Sequence, residues 1–197
     1  MADRFVYDFD EPCDGGRELL GGKGIGLAEM TQMGVPVPAG FTVTTDACRA
    51  YLETRDLPAG LADEVADHIA RLERRTGKTF ASHDDPLLVS VRSGAAISMP
   101  GMMDTILNLG LNDEATEGLA ARTSNARFAY DSYRRLIQMF GDVVDGIDGH
   151  RFQSALSALK QGRGVQADTD LTADDLRELV ERFKEIYRSD AGGEFPP

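Results

Sequence analysis

Cysteine and long apolar runs are scarce in this sequence. Its two cysteines, Cys13 and Cys48, form no CxxC pair and no cluster with histidine, which argues against a disulfide framework or a zinc site and for reduced thiols. The first twelve residues lack the apolar segment of a secretory signal, and no stretch reaches the length of a membrane span. These absences predict a soluble, cytoplasmic protein that makes no contact with a membrane.

Basic residues are also in the minority. There are 21 Lys+Arg against 33 Asp+Glu, which gives a net charge of -12, whereas a general nucleic-acid binder needs a basic face. We therefore expect no nucleic-acid partner, although a local basic pocket can still hold an anionic ligand. The three histidines, His68, His83 and His150, have no spacing typical of metal ligands, so we predict no metal-binding residue in this chain.

Hydrophobic patterning changes near residue 111. Before it, strand and helix signals alternate, and after it nearly every pattern is helical. The first half predicts strands at 5–9 and 41–45, a helix over 23–33, a helix over 46–53, a helix from Leu61 that stops near Gly77, and a buried strand at 86–91. We therefore predict an α+β fold, in which residues 1–111 form a first lobe and residues 112–197 form a small all-helical subdomain.

Local signals predict several boundaries within this plan. Gly34 suits the position after the end of a helix, and Thr44 or Thr45 can cap the start of the next one. Thr172 and Asp175 have the spacing of a capping box at the start of the last helix. The final segment "DAGGEFPP" is typical of a domain boundary.

Helical periodicity also predicts which side chains share a face. Leu27, Met30 and Met33, with Ala28, form one face of the first helix. In "SNARFAYDSYRRLIQMFG", the apolar face with Phe128 is predicted to lie in the core, and Arg134 and Arg135 are predicted to be solvated. His68 lies close to an apolar helix face, so we expect it to be half-buried and give it no functional role.

The segment "LLGGKGIGLAEM" (19–30) combines glycines with one cation. The segment does not match a Walker A motif, because Gly24 follows Lys23 where Ser or Thr is needed. It does not match the dinucleotide-binding motif GxGxxG either, because Leu27 stands where the last glycine is needed. Glycines nevertheless let backbone N–H groups approach a phosphate, and a helix N-terminus attracts anions. A cation is unfavourable at a helix N-terminus, so Lys23 at such a position indicates a negatively charged partner. The alternative, an exposed lysine in a flexible turn, stays open.

Arg92 follows the predicted buried strand and precedes small residues in "VSVRSGAAISMPGMMDT" (89–105). Arginine suits bidentate contact with phosphate, and a structural salt bridge is the alternative. Two turns of small residues with one cation each favour a polyphosphate ligand. In the methionine-rich part, we expect the methionines to pack inward and Gly101 to present backbone amides to a phosphate.

Three stretches together resemble the start of the pyruvate, phosphate dikinase family: "LLGGKGIGLAEMTQMGVPVPAGFTVTTDAC", "LLVSVRSGAAISMPGMMDTILNLGLND" and "FAYDSYRRLIQMFGDVV". The resemblance runs from about residue 17 to residue 147, and more loosely to the end of the sequence. It implies part of an ATP-grasp nucleotide-binding domain, which serves the conversion of ATP, phosphate and pyruvate to AMP, diphosphate and phosphoenolpyruvate. It also implies that Lys23 and Arg92 are catalytic and hold the ATP phosphates. The implied ATP-binding set is Gly22, Lys23, Gly24, Arg92, Ser93, Gly101 and Met103.

The same resemblance implies what this chain does not encode. The Mg²⁺ ligands, the phosphohistidine segment and the pyruvate-binding barrel are expected outside it, in the remaining domains of a full-length enzyme that forms a homodimer. We therefore expect a fragment that binds ATP weakly and is inactive by itself. Two alternatives are a stand-alone module that binds a nucleotide or a protein without catalysis, and a fragment of a pyruvate, water dikinase.

Overall fold

The computed structural model describes residues 4–94 and 104–196. In these ranges the fold is mixed α/β and mostly helical, with seven α-helices and three two-stranded sheets. The strands are β1 (Val6–Asp8), β2 (Phe41–Val43), β3 (Thr79–Phe80), β4 (Pro86–Leu87), β5 (Val89–Arg92) and β6 (Thr105–Leu109). The helices are α1 (Gly16–Gln32), α2 (Thr45–Thr54), α3 (Leu61–Thr76), α4 (Asp113–Thr123), α5 (Ala126–Val143), α6 (Gly149–Arg163) and α7 (Ala173–Ala191).

The chain forms two compact units. Of the described residues, the first unit contains 4–78 with 93 and 94, and the second contains 79–92 and 104–196. Strands β3 to β6 are thus grouped with the helices that follow them, whereas the predicted first lobe extended to residue 111. Compact units and domains of common ancestry need not share boundaries, so the division at residue 111 stays a prediction.

The first unit is built on the antiparallel pair β1 and β2, in which Val6 lies opposite Val43 and Asp8 opposite Phe41. Its small apolar core joins Val6 to Ala47 of α2 and Leu61 of α3. The predicted strands and helices of this region are confirmed. Thr44, rather than Thr45, caps α2, because its hydroxyl accepts a hydrogen bond from the Ala47 amide.

Helix α1 ends as predicted, and it buries only part of the predicted apolar face. Gly34 has a positive φ of 76°, and the N–H of Val35 bonds the Met30 carbonyl in the pattern typical of a glycine-terminated helix. Met30 and Met33 are 37% and 72% exposed. Of the predicted face, Ala28 is buried together with Leu20 and Gly24, and the two methionines lie outside this buried side.

In the second unit, the predicted single strand at 86–91 is two strands with different partners. Parallel β3 pairs with β4, and antiparallel β6 pairs with β5. Leu88 lies between β4 and β5, where the chain changes partner. Pro86 and Leu87 are buried, but Val91 is 48% exposed. The apolar run is therefore buried only over its first part.

The main core lies among α4 to α7 of the second unit. Its buried members include Leu136 and Ile137 of α5, Phe152 of α6 and Phe183 of α7. The predicted apolar face of α7 is buried throughout, at Leu176, Leu179, Val180, Phe183 and Tyr187. The capping box of Thr172 and Asp175 is also confirmed.

Two side chains of α5 differ from the prediction. Arg134 is only 4% exposed, because its guanidinium forms ion pairs with Asp131 and Asp168. Phe128, predicted to be core, is 47% exposed. The predictions for these two residues are therefore wrong, and the two acidic partners explain why Arg134 lies in the interior.

Among the described residues, none of the helices is both long enough and apolar enough to cross a membrane.

Candidate functional site

Helix α1 is broken at the first glycine of the Gly-Lys segment. Gly21 has φ 69° and ψ 173°, which lie outside the helical region, and this combination is adopted almost only by glycine. Residues from Gly22 onward therefore begin a new helical segment inside α1. The first backbone N–H groups of such a segment have no carbonyl partner within the helix. Gly22, Lys23 and Gly24 thus present the arrangement of amides that binds anions at helix N-termini.

Gly24 lies where helix α1 packs against Thr42 of β2, and this close packing explains why the position holds a glycine. A Cβ atom at this position would lie 2.8 Å from Cγ2 and 2.9 Å from Oγ1 of Thr42. Only a residue without a side chain lets α1 approach β2 this closely. Gly24 therefore holds the Gly-Lys segment against the sheet of the first unit, whatever contact its own amide makes with a ligand.

The ammonium of Lys23 lies at the start of the new helical segment and donates a hydrogen bond to the Ser93 carbonyl, at 3.0 Å. The ion pairs formed among the described residues include none with Lys23. A cation at a helix N-terminus without a carboxylate partner is electrostatically unfavourable. Lys23 lies in α1 and is held by a hydrogen bond, so this geometry fits a binding group for an anion better than it fits a lysine in a flexible turn. Ser93 contributes its backbone oxygen, which orients the lysine.

Arg92 ends β5 of the second unit, where it lies opposite Thr105, and its side chain is exposed. Within residues 4–94 and 104–196, its guanidinium forms none of the ion pairs, so the alternative of a structural salt bridge finds no support there. Gly101 and Met103, and the neighbouring Met99 and Met102, lie outside the described residues. Their predicted contact with phosphate stays a prediction.

Sequence reasoning missed a buried ionic cluster in the first unit. His68 of α3 and Asp8 of β1 are 3% and 4% exposed, and Nδ1 of His68 lies 2.5 Å from Oδ1 of Asp8. Arg71 and Arg75 approach the other oxygen of Asp8 at 3.4 and 3.5 Å. The expectation that His68 is half-buried is therefore wrong. His68 ties α3 to β1.

A signal for this cluster was present in the sequence. Glu64, His68, Arg71 and Arg75 recur at spacings of four, three and four residues, so they form one polar stripe along α3. The carboxylate of Glu64 accepts hydrogen bonds from the amides of Phe5 and Val6, both at 2.9 Å. This stripe faces a strand rather than solvent, and periodicity alone does not distinguish those two cases.

The same cluster can be tested as a metal site. Asp8, Glu11 and His68 are the group of potential ligands among the described residues whose atoms lie within 4.8 Å of one another. However, Arg71 already contacts Glu11 at 3.2 Å and Asp8 at 3.4 Å, which places a guanidinium where an ion would be needed. Mg²⁺ also prefers an all-oxygen octahedral shell. Asp8, Glu11 and His68 therefore do not form a suitable site for Mg²⁺.

Comparison with known proteins connects this geometry to a family. The family described as "Pyruvate phosphate dikinase, AMP/ATP-binding domain" matches residues 17–62, a range that contains the break at Gly21, Lys23 and Thr42. The matched range lies within the first unit, which also contains the Lys23–Ser93 hydrogen bond.

Whole proteins extend the similarity over the rest of the chain. The pyruvate, phosphate dikinase of Giardia intestinalis is 54% identical over 203 residues, which cover 100% of this chain and 23% of that protein. That of Clostridium symbiosum is 55% identical over 195 residues, 98% of this chain and 22% of that protein. "Pyruvate, phosphate dikinase 1, chloroplastic" of Arabidopsis thaliana is 54% identical over 201 residues, 100% of this chain and 21% of that protein.

The chain thus spans less than a quarter of the length of these relatives. The family resemblance drawn from the glycine-lysine and methionine-rich segments is confirmed. This chain is homologous to the N-terminal AMP/ATP-binding region of the pyruvate, phosphate dikinases.

Proposed function

We propose that the Gly22–Gly24 segment and Lys23 bind the phosphate groups of ATP. The observation that carries this proposal is the break at Gly21, which creates a helix N-terminus with a lysine and no carboxylate partner among the described residues. Backbone amides and one ammonium are the groups that hold polyphosphates in many nucleotide sites. Arg92, Ser93, Gly101 and Met103 are proposed contacts on the strength of the family resemblance.

At the level of the whole protein, we propose phosphotransferase activity of the pyruvate, phosphate dikinase type. ATP, phosphate and pyruvate would be converted to AMP, diphosphate and phosphoenolpyruvate, within an ATP-grasp nucleotide-binding domain and a homodimeric enzyme. Phosphoryl transfer depends mainly on positioning and on stabilising charge. The residues of this chain would supply part of that positioning, by holding the phosphates with amides and with Lys23. Any bound Mg²⁺ would neutralise phosphate charge, and its ligands are proposed to lie in other segments.

The name of the Arabidopsis relative marks that protein as chloroplastic. A cytoplasmic location, and the absence of membrane and nucleic-acid partners, are proposed for this chain from its composition.

Calorimetric titration with ATP tests the phosphate site. We expect Lys23→Ala to weaken ATP binding by about tenfold or more, since charge-assisted hydrogen bonds contribute about 1.5–3 kcal/mol. Arg17→Ala is the matched control, because Arg17 is an exposed cation on the same helix before the break. Its affinity for ATP should stay within about twofold of the unmodified chain, as exposed charges usually contribute little.

Adenosine and tripolyphosphate separate the two ends of the nucleotide in the same titration. The proposal expects the Lys23→Ala loss for tripolyphosphate as well as for ATP. Equal loss of ATP affinity in Lys23→Ala and Arg17→Ala would indicate only long-range electrostatics and would remove Lys23 from the site.

A further inference from the structure

Two threonines stand at the start of α2, and the structure gives their hydroxyls different partners. The hydroxyl of Thr44 accepts the hydrogen bond from the Ala47 amide and caps the helix. The hydroxyl of the next residue, Thr45, donates a hydrogen bond of 2.5 Å to the backbone carbonyl of Glu18 in α1. Thr45 therefore links the start of α2 to the part of α1 that precedes the break at Gly21.

The Glu18 carbonyl lies near the end of the first helical segment of α1. In an uninterrupted α-helix it would pair with the amide N–H of Gly22, four residues later. Gly21 lies between those two groups, and its dihedral angles are not helical. Carbonyl groups at the end of a helical segment need partners from outside that segment, and the Thr45 hydroxyl is such a partner. This hydrogen bond thus lies at the break on which the proposed phosphate site depends.

The backbone that carries this hydroxyl is anchored to the sheet of the first unit. The amide of Thr44 donates a hydrogen bond to the Phe5 carbonyl at 2.8 Å, and Thr44 is almost fully buried. On the other side of the break, Gly24 packs closely against Thr42 of β2. One short stretch of chain, residues 42–45, therefore supports both parts of α1.

We propose that Thr45 is a positioning residue for the phosphate site. By holding the Glu18 carbonyl, its hydroxyl keeps the first part of α1 out of line with the second, so that the amides of Gly22 and Lys23 stay available to a phosphate. The inference rests on the proposed binding of ATP phosphates by these groups. A site that is arranged before its ligand arrives loses less free energy on binding. Removal of the Thr45 hydroxyl should therefore weaken binding, although the hydroxyl acts through α1.

A structural role alone makes a different prediction. If the hydrogen bond between Thr45 and Glu18 only joined α1 to α2, its loss would lower stability and leave the affinity of the folded chain for phosphate groups unchanged. The affinity for tripolyphosphate, together with the amide chemical shifts of Gly21 and Gly22, therefore distinguishes positioning from structural support.

Calorimetric titration with tripolyphosphate tests this role. Thr45→Val removes the hydroxyl and nearly keeps the shape of the side chain, so it should weaken binding by about fivefold, the usual effect of one neutral hydrogen bond. Thr45→Ser restores a hydroxyl, and its affinity should stay within about twofold of the unmodified chain. Thr54→Val is the matched control, because the Thr54 hydroxyl bonds the Ala50 carbonyl at the opposite end of α2. Its affinity should equal that of the unmodified chain.

Nuclear magnetic resonance of the ligand-free, isotopically labelled chain reports the break itself. The amide signals of Gly21 and Gly22 should move in Thr45→Val and keep their positions in Thr45→Ser and Thr54→Val. Circular dichroism shows whether each variant is folded. Thr45→Ala removes the same hydroxyl with a smaller side chain and takes the place of Thr45→Val if the valine prevents folding.

Three outcomes would overturn the inference. These are unchanged affinity of Thr45→Val for tripolyphosphate, a loss of affinity in Thr45→Ser or Thr54→Val equal to that in Thr45→Val, and unchanged amide signals of Gly21 and Gly22 in Thr45→Val. Lys23→Ala separates this failure from that of the site. If Lys23→Ala weakens binding and Thr45→Val does not, the phosphate site stands and only the role of Thr45 is lost. If neither variant changes the affinity, the proposed phosphate site fails as well.

Discussion

Replacing Gly24 with alanine tests whether the Gly-Lys segment is held in place by its contact with β2. The new Cβ would lie 2.8 Å from Cγ2 and 2.9 Å from Oγ1 of Thr42, well inside the usual contact distance of about 3.5–4.0 Å between carbon atoms. Thr42 is β-branched, so it has few alternative rotamers with which to make room. Either α1 moves away from β2 or Thr42 adopts a strained conformation.

The magnitude follows from two opposing contributions. Overpacking of this kind costs about 1–3 kcal/mol, while alanine is favoured over glycine inside a helix by about 1 kcal/mol. We therefore expect Gly24→Ala to destabilise the first unit by about 1 kcal/mol. Gly26 is the matched control on the same helix, because a Cβ there meets no described atom within 4 Å. Gly26→Ala should stabilise the unit by up to about 1 kcal/mol.

Hydrogen exchange measured by mass spectrometry is the appropriate assay, because it reports the amides of β1 and β2 separately from those of the second unit. The two alanine variants should differ by about 2 kcal/mol in the opening free energy of β1 and β2. Thr42→Ala should restore part of the loss in the Gly24→Ala background. Indistinguishable exchange in the two single variants would refute the packing argument, and Gly24 would then be explained by a ligand alone.

Three further predictions concern the second unit. Hydrogen bonds from Thr172 and the pairing with Arg163 lower the pKa of Asp175 to about 2, so its contribution to stability is present above about pH 4 and is lost as the pH falls toward 2. Urea midpoints of Asp175→Asn and the unmodified chain should therefore converge over that range. Burial and the hydrogen bond to Asp145 raise the pKa of Tyr187 to about 12, so its contribution to stability is lost as the pH rises from about 10 to 12. Because the pKa values of Tyr130 and Tyr133 are raised as well, Tyr187→Phe should remove one late step from the ultraviolet titration of tyrosine and only part of that loss of stability. Phe195 packs against three aromatic rings. Phe195→Ala should therefore lower the free energy of urea unfolding by about 2 kcal/mol, less than the 3–5 kcal/mol typical of a fully buried phenylalanine. An unchanged urea midpoint would show that the C-terminal segment is not anchored by Phe195.

The features predicted correctly from the sequence depend on local chemistry. Gly34 ends α1 because it adopts a positive φ, and Thr44 and Thr172 cap helices through hydroxyls that bond amides three residues later. The break at Gly21 agrees with the predicted start of a helix after the glycine pair, although the helical residues before it, from Gly16, were not predicted. These interactions span only a few residues, so periodicity and residue type are sufficient to find them.

The features missed depend on partners that are distant in sequence. Asp8 and His68 are 60 residues apart, and no local pattern shows that the polar stripe of α3 faces β1. Arg134 is buried because Asp168 lies across from it in the fold, and the run at 86–91 is divided because β4 and β5 pair with different strands. In each case a contact between residues far apart in sequence decides the burial or the strand pairing, which local residue preferences do not specify.

The assignment of Lys23 and its neighbouring glycines to a phosphate site stays a prediction, and the sequence did not reveal that Gly24 also packs against a strand. Its tight contact with Thr42 becomes visible only when α1 is packed on β2. Ser93 is predicted to contact the ligand, and in the structure its carbonyl accepts a hydrogen bond from Lys23. The tail "DAGGEFPP", predicted as a boundary, contains an aromatic anchor at Phe195.

The most direct test of the central claim is an amide chemical-shift titration of the isotopically labelled chain with ATP, tripolyphosphate and adenosine. We predict that ATP and tripolyphosphate shift the amide signals of Gly22, Lys23 and Gly24 and that adenosine alone does not, because these amides contact phosphate in the proposed site. In the Lys23→Ala chain these shifts should require higher ligand concentrations. Shifts confined to other segments, or equal shifts with adenosine, would contradict the assignment of this helix N-terminus as the phosphate site.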